Sequence, residues 1–319
     1  MTGEFELIRR FFTRPTPQAA LGPGDDCALL VPSADVQLAV TTDMLVAGTH
    51  FLPETDPWRL GWKTVAVNLS DLAAMGARPR WILLAGSLPE ANENWLAAFS
   101  DGLFACAAHY QVDLVGGDTT RGALNLCLTA IGEVAAPVAL RRDRARAGDN
   151  LWLSGQTGLA ALGLAHLQQQ LELPEALIRP CVDALLQPLA RVELGCALSQ
   201  SGLAHAAIDV SDGLLADLGH VVDASSLAVD LFLGWLPALP CGVDATRARR
   251  CQLAGGDDYE LLFSASPRQR AAIDALAAQL GVPLTRCGRF VAAREPAVAL
   301  FDENGQRMTV SERGFDHFA

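Results

Sequence analysis

The chain has 319 residues, half of them hydrophobic, and a formal charge of −12. That length and composition predict two folded domains with ample core, and the negative charge argues against nucleic acid or an anionic membrane surface as a main partner. No run of eighteen or more apolar residues predicts a membrane span, and the start, MTGEFELIRRFF, lacks the apolar core of a signal peptide. Eight cysteines sit in apolar surroundings with no C-x-x-C pair. Buried free thiols in a reducing cytoplasm are therefore expected, in place of disulfides or a zinc site.

Strands and helices alternate along the first half. VQLAVTTD predicts a strand over 36–43 ending in hydroxyls and an acid. WKTVAVNLSDLAAMGA has helical apolar spacing over 62–77 and stops at GARP. Strand 80–88, helix 94–110, strand 112–120 running into a glycine-rich turn, and strand 124–134 follow. The arginine-rich stretch 137–149 reads as a linker between an N-terminal domain over 1–136 and a C-terminal domain over 150–319. The second half predicts strand 151–155, helix 156–171, helix 180–201, strand 204–210, helix 212–225, strand 259–266 and helix 268–281. Strand–helix alternation in both halves predicts two α/β domains. NLSDLAAMG and DVSDGLLADLG, each a Ser-Asp leading a helical segment, form a faint internal echo.

Aspartates recur in one kind of context: GPGDD (22–26), TTD (41–43), NLSD (68–71), GGD (116–118), DVSD (209–212) and GGDDYE (255–260). Most lie where an apolar strand ends or a helix begins, the positions at which α/β proteins place ligand-contacting groups. Each alone has an ordinary structural account. The Gly-Pro-Gly-Asp stretch fits a turn, Asp43 could close one, Asp71 could face solvent, and Ser211 with Asp212 could start a helix. Six coincidences are less economical than one shared site.

Lys63 is the only lysine and follows Trp62, so the P-loop signature is absent. H-E-x-x-H and the calcium-loop pattern are missing too. Many carboxylates with few histidines point to all-oxygen ligation, and Mg²⁺ at phosphates leads among the possibilities.

In this order, GPGDDCALL, TTDMLVAGTHF, NLSDLAAMGARP, GGDTTRG, DVSDGLLADLGH and GGDDYELLF closely resemble the thiamine-monophosphate kinase family. That family lies in the superfamily of aminoimidazole ribonucleotide synthetase and selenophosphate synthetase. The resemblance runs from about residue 3 to ERGFDHF at the C-terminus. It implies an aminoimidazole ribonucleotide synthetase-like fold, each domain a mixed β-sheet packed with helices, and a homodimer paired through the N-terminal sheets. It also implies transfer of the γ-phosphoryl group of ATP to thiamine monophosphate, assisted by several Mg²⁺ ions. Motif by motif, it assigns Asp26, Thr41, Thr42, Asp43, Asp71, Asp118, Asp209 and Asp212 to magnesium. Gly117 with Asp118, Arg142 and Ser211 match ATP contacts, and His50, Glu260 and Phe315 match contacts to thiamine phosphate. Asp257 stands where many members have Glu, and Asp25 is left as a turn or supporting residue.

A phosphate monoester acceptor is already mostly dianionic at neutral pH, so no general base is expected. The aspartates then serve positioning and charge neutralisation, with Arg142 as an added cation. Three rivals carry signatures of their own. Selenophosphate synthetase would need a lysine near a reactive Cys, and none precedes Lys63. A Mg²⁺-dependent phosphatase would need no ATP, and a non-catalytic Ca²⁺ or nucleotide-binding protein would transfer no phosphoryl group.

Overall fold

The computed structural model of the chain describes residues 4–308. It divides into two compact units. One holds the residues up to Leu72 with Ala77–Pro137, the other Ala73–Gly76 and the residues from Val138 on. Residues 138–149, read from composition as linker, lie in the second unit. There Ser225 Oγ donates to the Arg142 carbonyl at 2.7 Å, and the Gly148 N–H reaches the Phe290 carbonyl at 2.9 Å.

The first unit runs α1 (Glu4–Leu7), β1 (Val36–Val46), α2 (Pro57–Ala74), β2 (Arg78–Leu88), α3 (Glu93–Tyr110), β3 (Asp113–Arg121) and β4 (Asn125–Ala135). Its sheet has the order β1-β4-β2-β3, with β2 and β3 parallel and the other pairs antiparallel. The parallel pair needs a crossover, which α3 supplies. Side chains alternate across the pleat: Leu126, Leu128 and Ala130 of β4 are buried, while Cys127, Thr129 and Ile131 are half-buried. On β1 the outward set is apolar and open, with Leu38 46%, Val40 63% and Met44 51% exposed. A solvated strand face normally carries polar residues at such positions.

β1 is longer than its sequence predicts. It continues to Val46, so Asp43 sits within the strand, opposite Leu128, and does not end it.

The second unit runs β5 (Asn150–Ser154), α4 (Leu159–Leu167), α5 (Glu175–Leu186), α6 (Val192–Ser201), β6 (Ala206–Val210), α7 (Leu214–Ser225), β7 (Ala228–Phe232), α8 (Ala245–Ala254), β8 (Glu260–Ala265), α9 (Arg270–Leu280), β9 (Leu284–Val291), β10 (Val298–Phe301) and β11 (Arg307–Met308). Its mixed sheet has the order β11-β10-β7-β9-β5-β8-β6. Leu151 and Leu153 of β5, Ile208 and Val210 of β6, and Val229 and Leu231 of β7 form one core with Leu214, Leu218, Val221 and Val222 of α7. The α7 residues fall at i, i+4, i+7 and i+8, one helical stripe.

The expected helix over 180–201 is instead two helices. α5 ends at Leu186 and α6 begins at Val192. Pro188 falls between them, lacks an N–H to donate, and disfavours helical geometry in the residue before it. No helix among the described residues is long and apolar enough to cross a membrane.

Candidate active site

In the first unit the candidate side chains Thr41, Asp43 and Asp71 lie where β1 meets α2. Strand parity places Thr41 and Asp43 on the same face as buried Leu45. On α2, Asn68 and Asp71 are three residues apart, so both look the same way. Asn68 Oδ1 accepts the Asp43 backbone N–H at 2.9 Å, and Thr41 Oγ1 donates to Asp71 Oδ2. Asn68 is itself held by a bond from Nδ2 to the Thr64 carbonyl at 3.1 Å. The NLSD motif thus supplies two side chains that bond to β1. Sequence reasoning named only Asp71, although the i, i+3 spacing pointed to Asn68 as well.

Thr42 does not join this group through its side chain. It points to the opposite face, where its hydroxyl meets that of Thr129 at 2.7 Å. Asp118 lies on β3, paired with Ala85 of β2. β1 and β3 are the two edges of the sheet, so Asp43 and Asp118 are three strand spacings apart, about 14 Å along the sheet. Gly117 is required by close approach: a Cβ there would fall 1.9 Å from the Leu84 carbonyl oxygen.

Asp25 and Asp26 are exposed in the loop before β1, and Asp25 Oδ1 accepts the Asp26 N–H at 2.8 Å. Asp25 therefore shapes the turn, as expected. His50 is half-buried in the turn after β1, where its Nδ1 accepts the Val46 N–H at 3.0 Å. The neutral ring then carries its proton on Nε2.

In the second unit the candidate residues cluster at one end of the sheet. Asp209 is buried at the fourth position of β6, opposite Leu261 of β8. Ser211, Asp212 and Gly213 form the turn into α7, and all three backbone N–H groups point at one carboxylate oxygen, Asp217 Oδ2, at 3.1, 3.1 and 3.2 Å. Burial pushes the Asp217 carboxyl up to about 7, opposed by these three bonds, which favour its ionised form. The GGDDYE loop closes against the same turn. Asp257 N–H donates to the Ser211 carbonyl and Tyr259 N–H to the Val210 carbonyl, both at 2.8 Å. Gly256 allows this approach, since a Cβ there would lie 2.4 Å from the Ser211 oxygen.

Glu260 opens β8 and is buried. Arg191, between α5 and α6, grips it with two bonds, Nε to Oε2 at 2.7 Å and Nη2 to Oε1 at 2.5 Å, and Ser154 Oγ adds a third at 2.5 Å to Oε2. Asp258 Oδ2 accepts the Gly158 N–H at 2.7 Å, while its Oδ1 has no hydrogen-bond partner among the described residues. Burial, reinforced by Glu260 and Asp257, raises the Asp258 carboxyl well above its ordinary range. Arg142 is exposed in a short turn of 3₁₀ helix, Arg142–Arg144. Phe315 lies outside the described residues.

Sequence reasoning missed Arg191, Ser154 and Asp217. Asp217 carried a signal, being the one unassigned acid of DVSDGLLADLG. Arg191 carried one too, since its stretch PLARVELG resembles the family's segment leading to the second domain's site, whereas Ser154 carried none.

The six aspartate motifs do not form one cluster within either unit. Among the described residues, no group of three His, Cys, Asp or Glu side chains is placed to hold a metal ion. The donor chemistry nevertheless suits Mg²⁺, because carboxylate and hydroxyl oxygens are its ligands and it is commonly held by one or two carboxylates plus substrate phosphates.

Residues 24–134 match the N-terminal domain of AIR synthase related protein, and residues 146–301 match the C-terminal domain. Fold and site together define a two-domain protein of the AIR synthase related class. A curated thiamine-monophosphate kinase of Salmonella typhimurium is 45% identical over 324 aligned positions, covering 99% of this chain and 98% of its own. The crystal structure of thiamine-monophosphate kinase from Stenotrophomonas maltophilia K279a is similar with a TM-score of 0.84 at 48% identity, over 92% of this chain and 93% of that one. AaThiL complexed with AMPPCP and TMP gives a TM-score of 0.76 at 28% identity, over 99% and 97%. The chain belongs to the thiamine-monophosphate kinase family.

Proposed function

We propose that this chain transfers the γ-phosphoryl group of ATP to thiamine monophosphate, yielding ADP and thiamine diphosphate. The observation that carries this reading is the 45% identity to a thiamine-monophosphate kinase over 99% of this chain and 98% of the relative. The AaThiL complex with AMPPCP and TMP supports the substrate pair.

The acceptor oxygen is anionic near neutral pH, with a second phosphate ionisation near about pH 6, so the chain need not supply a base. Its residues bind and orient. Ser211, Gly117 with Asp118 and Arg142 take the nucleotide, and Arg142 offsets phosphate charge. His50, with its Nε2 proton, Glu260 and Phe315 take the acceptor. Asp26, Thr41, Thr42, Asp43, Asp71, Asp118, Asp209 and Asp212 are the ligands for Mg²⁺, Thr42 through its main chain. When bound, the metal neutralises phosphate charge and favours in-line transfer.

The chain works in the cytoplasm as a homodimer in this reading. The exposed Leu38, Val40 and Met44 row on the first unit's open sheet face supports pairing there. In this reading the N-terminal domain spans 1–136 and the C-terminal domain 150–319, with 138–149 packed into the latter's unit.

The test is incubation with ATP, Mg²⁺ and thiamine monophosphate, followed by chromatographic separation. Equimolar ADP and thiamine diphosphate are expected, and chelation should stop both. Phosphate release from thiamine monophosphate without ATP would establish the phosphatase alternative instead.

A further inference from the structure

Glu260 is an unusual contact for a cationic acceptor, because its charge is already matched. The carboxylate accepts three bonds, two from the Arg191 fork and one from Ser154, out of about four lone-pair sites. Glu260 is buried and Arg191 half-buried, with side-chain exposures of 8% and 21%. Ser154 is fixed in turn, since its oxygen accepts the Leu261 N–H at 2.8 Å. One acceptor site remains, on Oε1. The carboxylate packs directly over Gly155, which has φ +51°: a Cβ there would fall 1.9 Å from Oε1. Any side chain at residue 155 would displace the carboxylate.

We propose that Arg191 is a positioning residue for acceptor recognition. Its fork holds Glu260 in one orientation with a single Oε1 site open, and it cancels the Glu260 charge. Glu260 then selects the acceptor by one hydrogen bond from an N–H donor on the heterocycle, not by attracting its positive ring, and it does not repel the acceptor phosphate. The inference rests on reading Glu260 as an acceptor contact. A lysine at 191 would keep the charge and lose the bidentate geometry. Removing the cation altogether would leave a buried, unpaired carboxylate, which proteins tolerate poorly.

The test uses the full chain and compares wild type with Arg191→Lys, Arg191→Met, Glu260→Gln and the double variant Arg191→Met/Glu260→Gln. KM for thiamine monophosphate, KM for ATP, kcat and the melting temperature are measured for each. Arg191→Lys should raise the acceptor KM about tenfold or more while the ATP KM stays within about twofold, because only the Glu260 orientation is lost. The double variant should recover the thermal stability that Arg191→Met loses. Its acceptor KM should equal that of Glu260→Gln alone, because Arg191 acts only through Glu260.

Additive rises in acceptor KM for the two single changes would overturn the proposal. So would a wild-type acceptor KM in Arg191→Lys, or equal rises in both KM values. A wild-type chain that forms no thiamine diphosphate would overturn the activity itself, and this inference with it.

Discussion

Replacing Asp217 with alanine tests whether one buried carboxylate organises the turn that carries Ser211 and Asp212. In the native protein its Oδ2 takes the N–H groups of Ser211, Asp212 and Gly213. Alanine leaves all three without that acceptor. Gly213 is buried, while Ser211 and Asp212 are half-buried and can recruit water. One fully orphaned N–H costs about 1–3 kcal/mol, and the two wetter groups lose less. Relief of the burial cost that raises the Asp217 carboxyl to about 7 offsets part of this. The net expectation is a loss of about 2 kcal/mol, which in a unit of this size lowers the melting temperature by about 4–8 °C. Because the turn carries Ser211, proposed above as a nucleotide contact, the ATP KM should rise several-fold and the acceptor KM should move little. Asp217→Asn keeps an oxygen acceptor and should lose less than half as much on both measures. Scanning calorimetry and initial-rate kinetics read the two effects. An Asp217→Ala protein that melts within about 1 °C of wild type with an unchanged ATP KM would refute the reasoning.

Three further outcomes are expected. Gly117→Ala drives a Cβ to 1.9 Å from the Leu84 carbonyl and breaks the β2–β3 register; a urea midpoint shift equivalent to about 2 kcal/mol or more should result. Asp71→Asn keeps an oxygen for Thr41 Oγ1 but loses the charge; turnover should fall about 100-fold or more while the melting temperature of chelated protein stays level, and a collapse in that temperature would assign Asp71 a structural role. Exposed Cys27 and Cys241 should react with a thiol reagent in the native protein, whereas buried Cys106, Cys181 and Cys287 should react only on unfolding. Burial raises the thiols of Cys106, Cys181 and Cys287, Cys181 from 9.0 to about 11 with help from Cys251. A group raised in the folded state favours folding fully below its unfolded pKa. Denaturation midpoints should therefore fall as pH rises from about 9 to 11, where unfolded thiols ionise and folded ones do not. Serine at all three positions should flatten that slope.

Much of the local organisation was open to reading in the chain itself. The period-2 and period-3.6 apolar patterns located seven strands and six helical segments of the two units, because alternation and helical stripes are properties of neighbouring residues. Strand parity alone puts Thr41 and Asp43 on one face of β1 and Thr42 on the other, and Pro188 marks the break between α5 and α6. The recurrence of aspartates at strand and helix ends was also open to reading, since their spacing is local. α8 escaped because ATRARRCQLA buries only Ala248, Gln252 and Leu253, too thin a stripe to show a period. β9 escaped because LTRCGRFV mixes polar and apolar residues along a strand with neighbours on both sides.

Strand order and long-range pairing were settled only by tertiary structure. Nothing adjacent to Asp118 says that it lies at the far edge of the sheet from Asp43, because edge position depends on which strands pair. Nothing near Glu260 says that its carboxylate is matched by a guanidinium 69 residues earlier in the chain. A single sequence states which charges exist, whereas their partners follow from how the chain closes loops and buries its core. The charge on Glu260 is therefore legible in the sequence, and its neutralisation by Arg191 is a property of the fold.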